Sequence, residues 1–271
     1  MNKEQAGISI VITVYNNAGT IRDLLESLVD QEGPKEIVIV DSESSDGTSE
    51  ILKDYASRYQ FIRHFVIKCT RGAGRNIGVD KASFPFIAFT DGDTTADPEW
   101  ISHMRECFLL GNEMVIGTVK QVGSERLRSL PRVELVYGNI EVTAPSANLG
   151  YSRRLFLKLG GFDENFITAE DIDLNIRCVE SGARIGKCNE CIVFNRTRES
   201  LHGMAKQAFW NGYGRKQLSR KHPDSWSHLK RENVFGSNMT LLYFIRSFIA
   251  FLGYLSCTIF DSPRNYNTTT R

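Results

Sequence analysis

The stretch FPFIAFTDGD, residues 84–93, decides the fold, because an apolar run passes directly into two aspartates separated by one glycine. Short apolar runs of this length are typical of strands buried on both faces of a parallel sheet. Two earlier runs have the same character, ISIVITV at 8–14 and EIVIVD at 36–41, and the second also ends in an aspartate. The pattern predicts buried strands whose carboxyl ends carry polar side chains.

Helix-like segments separate these runs. Thr20 precedes apolar residues spaced three and four apart, as on one face of a helix, and further helical segments are predicted near 49–59 and 72–82. Strands that alternate with helices in this way predict an α/β, doubly wound sheet with right-handed crossovers. Ligands bind beyond the carboxyl ends of the strands in such sheets, so we expect Asp41 and the Asp91–Asp93 cluster to converge on one crevice.

The composition narrows the class of protein. The 271 residues carry a formal net charge of +1 and are 41% hydrophobic, which is typical of a globular protein and gives no whole-chain signal for a nucleic-acid partner. The first seven residues lack a secretory signal, so we expect a cytoplasmic, reduced chain with free thiols. Cys188 and Cys191 form a lone CxxC without a second ligand pair, and we interpret them as ordinary thiols and not as a metal or redox site.

Two acidic clusters are candidate ligands for a nucleotide and a metal. Asp91 and Asp93 are suited to a hard divalent cation, although Asp and Gly are also common in solvated turns. Asp41 is placed to accept hydrogen bonds from a nucleobase or ribose, the alternative being an Asx turn that caps the next helix. We assign that capping role to Asp46.

Two further segments carry charged groups that would contact a ligand, and each also has a purely structural interpretation. RGAGRN at 71–76 lacks the spacing of a dinucleotide-binding fingerprint and predicts a flexible loop in which Arg71 and Arg75 face a diphosphate, or simply a solvated helix start. Glu170 and Asp171 begin a predicted helix, where a carboxylate would serve as a general base; acidic residues are also favoured in any first helical turn.

Taken in order, the motifs resemble the family 2 inverting glycosyltransferases with the GT-A fold. The resemblance covers residues 8–195 and rests on these segments: SIVITVYN at 9–16, EIVIVD at 36–41 with SDGT at 45–48, RGAGRN at 71–76, DGD at 91–93, NLGYSR at 148–153, GGFDE at 160–164 and EDIDL at 170–174. It implies inverting transfer from a UDP- or GDP-sugar to a hydroxyl of a lipid-linked or glycan acceptor, with Mg²⁺ or Mn²⁺ as cofactor. The alternatives are a non-catalytic sugar-nucleotide-binding protein and a nucleotidyltransferase.

The resemblance also implies roles for individual residues. Asp171 would be the catalytic base with Glu170 beside it, and Asp93 would ligate the metal, with Asp91 on the metal or the ribose. The predicted substrate-binding set consists of the residues in the matching motifs that would line the base, ribose and diphosphate subsites: Val14, Tyr15, Asn16, Asp41, Arg71, Gly74, Arg75, Asp91, Gly92 and Asn148.

The chain departs from the family pattern at two places. Many relatives have proline at the position of Val14, and many have a histidine just after the last core strand, where this chain has Asn195 and Arg196. If that histidine helps to hold the metal or the diphosphate, the resemblance implies that His202 substitutes for it or that Arg196 supplies the positive charge instead.

The C-terminal part predicts a separate extension. We expect a catalytic domain over 1–195 and a helical extension over 196–271, in which a basic and aromatic segment at 206–231 precedes an apolar helix at 239–260. The favoured interpretation is peripheral attachment at the cytoplasmic face of a membrane. A true span and a buried core or dimer helix are the alternatives. A mobile loop is predicted at 123–131.

Overall fold

The computed structural model describes residues 6–123, 134–196, 200–228, 230–232 and 241–260. The predicted loop at 123–131 therefore lies, apart from Gly123, outside the described residues. The chain divides into two compact units, and both are built from three separate stretches. Unit 1 comprises 1–121, 145–162 and 181–196, and unit 2 comprises 122–144, 163–180 and 197–271.

Unit 1 is a mixed α/β sheet. Its strands are β1 (Ile8–Val14), β2 (Lys35–Asp41), β3 (Ile62–Val66), β4 (Phe86–Asp91), β5 (Thr94–Ala96), β6 (Met114–Val122), β9 (Leu149–Ser152) and β10 (Ile185–Arg196). Its helices are α1 (Ile21–Val29), α2 (Thr48–Arg58), α3 (Arg71–Lys81), α4 (Trp100–Leu109) and α5 (Arg153–Lys158). The strand order is β3-β2-β1-β4-β9-β6-β10-β5. The first four strands in that order run parallel, and β9 then pairs antiparallel with both β4 and β6.

Helices cover both faces of this sheet, as the alternation of side chains along β1 shows. Ile10 and Ile12 point to one face and join a core cluster with residues of α1 and α4, among them Leu24 and Trp100. Val11 lies on the other face, where it meets α3. Because successive side chains of a strand point to opposite faces, a strand buried on both sides is mostly apolar, as β1 is apart from Ser9 and Thr13.

Unit 2 contains a small sheet and most of the C-terminal helices. Its elements are β7 (Glu134–Tyr137), β8 (Ile140–Glu141), α6 (Glu170–Glu180), α7 (Leu201–Lys221), α8 (Pro223–His228), β11 (Lys230–Glu232) and α9 (Leu241–Phe260). β7 lies between β11 and β8 in an antiparallel sheet. Leu135, Ile176 and Leu218 belong to one buried cluster that joins β7, α6 and α7.

The predicted domain boundary differs from this division. The change near residue 196 is present, but 122–144 and 163–180 group with the C-terminal residues and not with the α/β sheet. Their apolar side chains cause the regrouping, because Leu135, Val142 and Ile176 are buried with Leu218 of α7. The C-terminal region is therefore part of a packed unit and not an appendage.

The helices α7 and α9 of unit 2 pack at backbone distance. A Cβ atom added to Gly212 would lie 1.7 Å from the carbonyl oxygen of Ala250, and one added to Gly253 would lie 1.9 Å from that of Phe209. No side chain of any size fits at those points. The two glycines therefore fix where the helices cross.

Candidate functional site

The carboxyl ends of β1, β2 and β4 meet at one edge of the unit 1 sheet. Val14 pairs with Asp41 across the β1–β2 ladder, and Thr13 pairs with Asp91 across the β1–β4 ladder. The structure thus brings the two predicted acidic clusters to either side of the last residues of β1. This edge is the candidate donor site.

The loop after β1 is held by the loop after β2. The backbone N–H of Asn16 donates to Ser44 Oγ at 2.9 Å, and the N–H of Ser45 donates to Asn16 Oδ1 at 2.9 Å. Asn16 has a φ of 54°, a left-handed conformation that asparagine tolerates better than most residues. Tyr15 is 63% exposed, whereas Val14 is buried beneath it. The loop therefore presents an aromatic ring to solvent on a fixed backbone.

Asp41 is fully buried at the end of β2. Its Oδ1 accepts hydrogen bonds from the N–H and the hydroxyl of Ser44 at 2.9 and 2.6 Å, and its Oδ2 accepts one from the Ser49 hydroxyl. His64 lies 3.8 Å away, and burial lowers the pKa of its imidazole although Asp41 acts in the opposite direction. The Asp41 carboxylate thus makes its hydrogen bonds within the local turn. A nucleobase could bind it only if the hydroxyl of Ser44 or Ser49 rotated away.

Asp46 takes the predicted capping role. Its Oδ1 accepts hydrogen bonds from the N–H and hydroxyl of Thr48, the first residue of α2, at 3.1 and 2.6 Å. Its Oδ2 accepts one from the N–H of Ala18 at 3.0 Å. The same carboxylate therefore caps a helix and holds the loop after β1.

The Asp91-Gly92-Asp93 loop presents oxygen ligands at the end of β4. Asp91 is 31% exposed in its side chain, and its Oδ1 pairs with Arg75 Nη2 at 2.7 Å. Gly92 is buried, and an added Cβ would lie 3.0 Å from both Val14 and Asn17, so the loop packs closely on the end of β1. Two carboxylates on one tight loop form a hard donor set that fits Mg²⁺ or Mn²⁺.

Residues that the motifs did not indicate hold this loop in place. The hydroxyl of Thr20 donates to the carbonyl oxygen of Gly92 at 2.8 Å. The backbone N–H of Arg196 lies 3.5 Å from the carbonyl oxygen of Asp93, and its guanidinium pairs with Asp23. Arg196 therefore lies beside the predicted metal ligand, where the family pattern has a histidine nearby. His202 is an exposed residue of α7 in unit 2.

Of the two predictions for residues 71–76, the helix start is confirmed and the flexible loop is wrong. These residues form the first turns of α3, which begins at Arg71 behind the Thr70 cap. A Cβ on Gly74 would lie 2.5 Å from the Thr13 side chain, and one on Gly78 would lie 2.4 Å from Val11. Both glycines allow α3 to approach β1, so Gly74 has a packing role.

The two arginines of α3 have different environments. Arg71 is exposed in the first turn of the helix, where the positive end of the helix dipole also attracts an anion. Arg75 is 1% exposed, pairs with Asp91 and lies over the ring of Phe162 at 5.5 Å. Arg75 therefore orients the Asp91 carboxylate, and its predicted position facing a diphosphate is replaced by this buried ion pair.

Asn148 is a structural residue in place of the predicted substrate ligand. It is 1% exposed, and its Oδ1 accepts a hydrogen bond from the indole N–H of Trp100 at 2.8 Å. Its Nδ2 donates to the carbonyl oxygens of Thr118 at 3.0 Å and Cys191 at 2.8 Å. The amide thereby ties α4, β6 and β10 together. Sequence alone offers no signal for this role, because an asparagine after a loop is equally typical of a ligand.

In unit 2, Glu170 and Asp171 form the first turn of α6. Glu170 is 4% exposed and Asp171 is half-buried. The helix is anchored by Asn175, whose Nδ2 donates to the carbonyl oxygens of Val142 and Ala144 at 2.9 and 3.0 Å. The base candidate is thus carried on a helix whose position within unit 2 is well determined.

Asp173, which the motifs did not single out, is the most strongly paired acid of this helix. It is fully buried, with Arg177 at 2.6 Å, His222 at 2.7 Å and Lys221 at 2.8 Å. Burial opposes its ionisation, but the hydrogen bond from His222 and the charges of Arg177 and Lys221 hold the pKa of Asp173 well below its usual range. In the sequence, Asp173 is only the third acidic residue in the first turn of a predicted helix, and nothing there indicates its buried partners.

The sequence is similar to those of known glycosyltransferases. The model of the family described as glycosyl transferase family 2 matches residues 9–161. Glycosyltransferase AglE of Haloferax volcanii is 30% identical over 151 residues, 54% of this chain and 43% of the relative. The probable glycosyltransferase YdaM of Bacillus subtilis is 26% identical over 276 residues, 92% of this chain and 64% of the relative. The chain therefore spans less than two thirds of the length of either relative.

Solved structures agree with the fold. S. aureus TarS 1–349 in complex with UDP-GlcNAc superposes with a TM-score of 0.60 at 19% identity, covering 93% of this chain and 81% of the other. The mannosyltransferase PcManGT from Pyrobaculum calidifontis, in complex with GDP-Man and Mn²⁺, gives 0.63 at 14% identity, covering 93% and 72%. At these identities the likeness concerns the fold, and it confirms the predicted GT-A-like mixed sheet.

Proposed function

Because the chain belongs to glycosyl transferase family 2, we propose that it moves a sugar from a UDP- or GDP-sugar to an acceptor hydroxyl, with inversion at the anomeric carbon. The observation that carries the proposal is the Asp91-Gly92-Asp93 loop, packed against the end of β1 with Arg75 on Asp91. UDP-GlcNAc in the TarS structure and GDP-Man with Mn²⁺ in PcManGT support this class of donor.

The donor subsites follow from the exposed groups at the sheet edge. Tyr15 offers its ring to the nucleobase, and Asn16 and Asp41 shape the backbone around it. Arg71, at the start of α3, attracts the diphosphate, since a helix N-terminus and a guanidinium both favour an anion. Asp91, oriented by Arg75, is within the proposed ribose and metal region.

Asp93 and Asp91 are the residues that would hold Mg²⁺ or Mn²⁺. When bound, such an ion neutralises the charge that builds up on the departing diphosphate. Arg196 contacts Asp93 through its backbone, while its guanidinium pairs with Asp23.

The acceptor hydroxyl loses its proton to Asp171, with Glu170 beside it as an orienting group. General-base assistance of this kind contributes about 10²–10⁴-fold to a rate. This assignment is supported by the EDIDL motif and by the first-turn position of both acids on α6.

The deciding experiment is a transfer assay with radiolabelled UDP- and GDP-sugars, lipid-linked and glycan acceptors, and Mn²⁺ or EDTA. We expect metal-dependent release of nucleoside diphosphate with transfer of the label. Pyrophosphate release from a nucleoside triphosphate would identify a nucleotidyltransferase instead. Donor binding without turnover across the panel would identify a non-catalytic sugar-nucleotide-binding protein.

Replacing Asp93 tests the metal assignment. We expect Asp93→Ala to weaken Mn²⁺-dependent binding of the nucleoside diphosphate at least about tenfold, because one of the proposed metal ligands is lost. Calorimetry with and without EDTA measures the effect, and Asp80→Ala, which removes an exposed carboxylate from α3, is the control. Equal affinities for Asp93→Ala and the parent chain would overturn the assignment.

Replacing Asp171 tests the base. We expect Asp171→Asn to lower kcat by about 10²-fold or more while donor affinity stays unchanged, since the amide cannot accept the proton. Glu180→Gln, at the other end of α6, is the matched control. Turnover at the parent rate in Asp171→Asn would remove that residue from the role.

A further inference from the structure

Three cysteine sulfurs lie together in unit 1, on the helix α4 and the strand β10. The Sγ atoms of Cys107, Cys188 and Cys191 are all within 4.8 Å of one another. Cys188 and Cys191 form a disulfide in this structure, with their Cα atoms 5.3 Å apart. The prediction of free thiols is therefore wrong for this pair, and the ligand missing from the lone CxxC is supplied by a cysteine 81 positions earlier in the chain.

The backbone of β10 is shaped to bring these sulfurs together. In a regular strand, residues three apart point to opposite faces. Here Cys188 and Cys191 are both buried in the same cluster, and the two residues between them are both exposed. The N–H of Cys191 donates to Cys188 Sγ at 3.2 Å, a bond that also stabilises a thiolate. The regular alternation of side chains along β10 is therefore interrupted between Cys188 and Cys191. Small apolar side chains could fill the core without this interruption.

A histidine lies on the same helix as Cys107 and contacts the CxxC segment. His103 precedes Cys107 by one helical turn, so both side chains project from the same face of α4. Its Nδ1 lies 3.2 Å from the carbonyl oxygen of Glu190, inside the CxxC segment. A carbonyl can only accept, so Nδ1 carries the hydrogen and Nε2 of the neutral ring keeps a lone pair. Metal-bound histidines are commonly held in this way.

We propose that the reduced chain binds a thiophilic divalent cation such as Zn²⁺ through Cys107, Cys188 and Cys191, with His103 as the fourth ligand. Tetrahedral Zn–S bonds of about 2.3 Å place sulfurs roughly 3.8 Å apart, so the three sulfurs, which lie within 4.8 Å of one another, need only a small adjustment.

The disulfide is the oxidised, metal-free form of the same site. A dithiol reductant supplies two electrons and two protons to the Cys188–Cys191 bond, giving two thiols and the disulfide of the reductant. Cation binding then displaces the thiol protons to solvent. The site joins α4 to β10, the strand that ends at Arg196 beside Asp93, so it stabilises unit 1 without itself touching the proposed donor site.

The experiment is a Co²⁺ titration of the full chain after reduction with a phosphine, which does not compete as a thiol ligand. We expect intense thiolate-to-cobalt charge-transfer absorption that saturates at one Co²⁺ per chain and is displaced by Zn²⁺. The unreduced chain keeps the Cys188–Cys191 disulfide and should not show this absorption, which makes it a control without any substitution. A carboxylate site gives no such absorption, so the readout separates this site from Asp91 and Asp93 and does not depend on the proposed function.

Three variants identify the ligands. We expect Cys107→Ser to weaken Co²⁺ binding at least about 100-fold. His103→Ala should retain the charge-transfer absorption but weaken binding and change the visible ligand-field bands. Cys69 forms no disulfide and is half-buried like Cys107, so Cys69→Ser is the matched control and should bind as the parent does. Reduced parent chain without thiolate–cobalt absorption, or unchanged binding in Cys107→Ser, would overturn the proposal.

Discussion

Asp173 shows how one side chain determines the position of a functional segment. It is fully buried two residues after Asp171 and is paired with Arg177, Lys221 and His222. The contacts join α6 to the end of α7 and the residue that follows it. A buried charge with this many partners is costly to disrupt, because removing one member leaves the others uncompensated.

Acid should release this anchor. The folded-state pKa of Asp173 lies below the unfolded value of about 4, so the unfolded chain takes up the proton first and the stabilisation is lost as pH falls below about 4. We expect Asp173→Asn to be less stable by about 3–5 kcal/mol at neutral pH, and this difference to shrink towards about pH 3. Urea unfolding across this range measures it.

The exposed carboxylate Asp80 provides the control for that measurement. Asp80→Asn should change stability by less than about 0.5 kcal/mol at any pH. If the deficit of Asp173→Asn were the same in acid as at neutrality, its charge would not be what stabilises unit 2.

Asp41 and Asn148 show that the position of a residue can be predicted from sequence more readily than its hydrogen-bond partners. The position of Asp41 at the sheet edge followed from the apolar run before it, because a buried strand must end where polar residues begin. Its hydrogen bonds with Ser44 and Ser49 depend on loop geometry that no periodicity encodes. Asn148 was placed in the site because its motif matched, yet its three partners come from α4, β6 and β10, which are distant in sequence.

At the scale of elements, the glycines of this chain mostly allow close packing. Gly74 and Gly78 let α3 lie against β1, and the sequence suggested a phosphate loop there because glycines in a loop and in a close helix contact look alike. The strands were easier to predict. Each of β1, β2 and β4 is apolar on both faces, which leaves few alternatives to a central position in a sheet.

The close contact between α7 and α9 can be tested by adding a side chain at Gly212. We expect Gly212→Ala to destabilise the protein by about 1–3 kcal/mol, although alanine favours a helix, because its Cβ would overlap the backbone of Ala250. Thermal unfolding monitored by circular dichroism measures the change. Gly19→Ala, where an added Cβ has no neighbour within 4 Å, is the control. Equal stability of the two variants would show that the helices do not cross there.

At the scale of the whole molecule, α9 is the helix that bears on a contact with a membrane. It is long and apolar enough to cross a membrane by length and composition, with a mean hydropathy of 1.5 and 11% of its apolar window buried. Tyr243, Gly253 and Cys257 are its buried residues, and the phenylalanines Phe244, Phe248, Phe251 and Phe260 are each more than half exposed. We infer a peripheral contact with the cytoplasmic face of a membrane, as a lipid-linked acceptor would require.

Vesicle binding tests this contact. We expect the chain to float with anionic lipid vesicles and to bind more weakly as salt is raised, since the basic residues of α7 add an electrostatic attraction. Phe248→Glu should weaken binding, whereas Leu157→Glu, an equally exposed apolar residue on α5, should not. Binding that survives alkaline extraction would indicate a span, and no flotation at all would indicate that α9 packs against protein.

Both compact units are threaded from three stretches, so the chain passes from one unit to the other five times between residues 121 and 197. An exchange of one contiguous stretch therefore cannot replace one unit alone, because any stretch that contains all of unit 2 also contains two of the three stretches of unit 1, and the reverse also holds. A recombination event that moved either unit would carry most of the segments of the other with it.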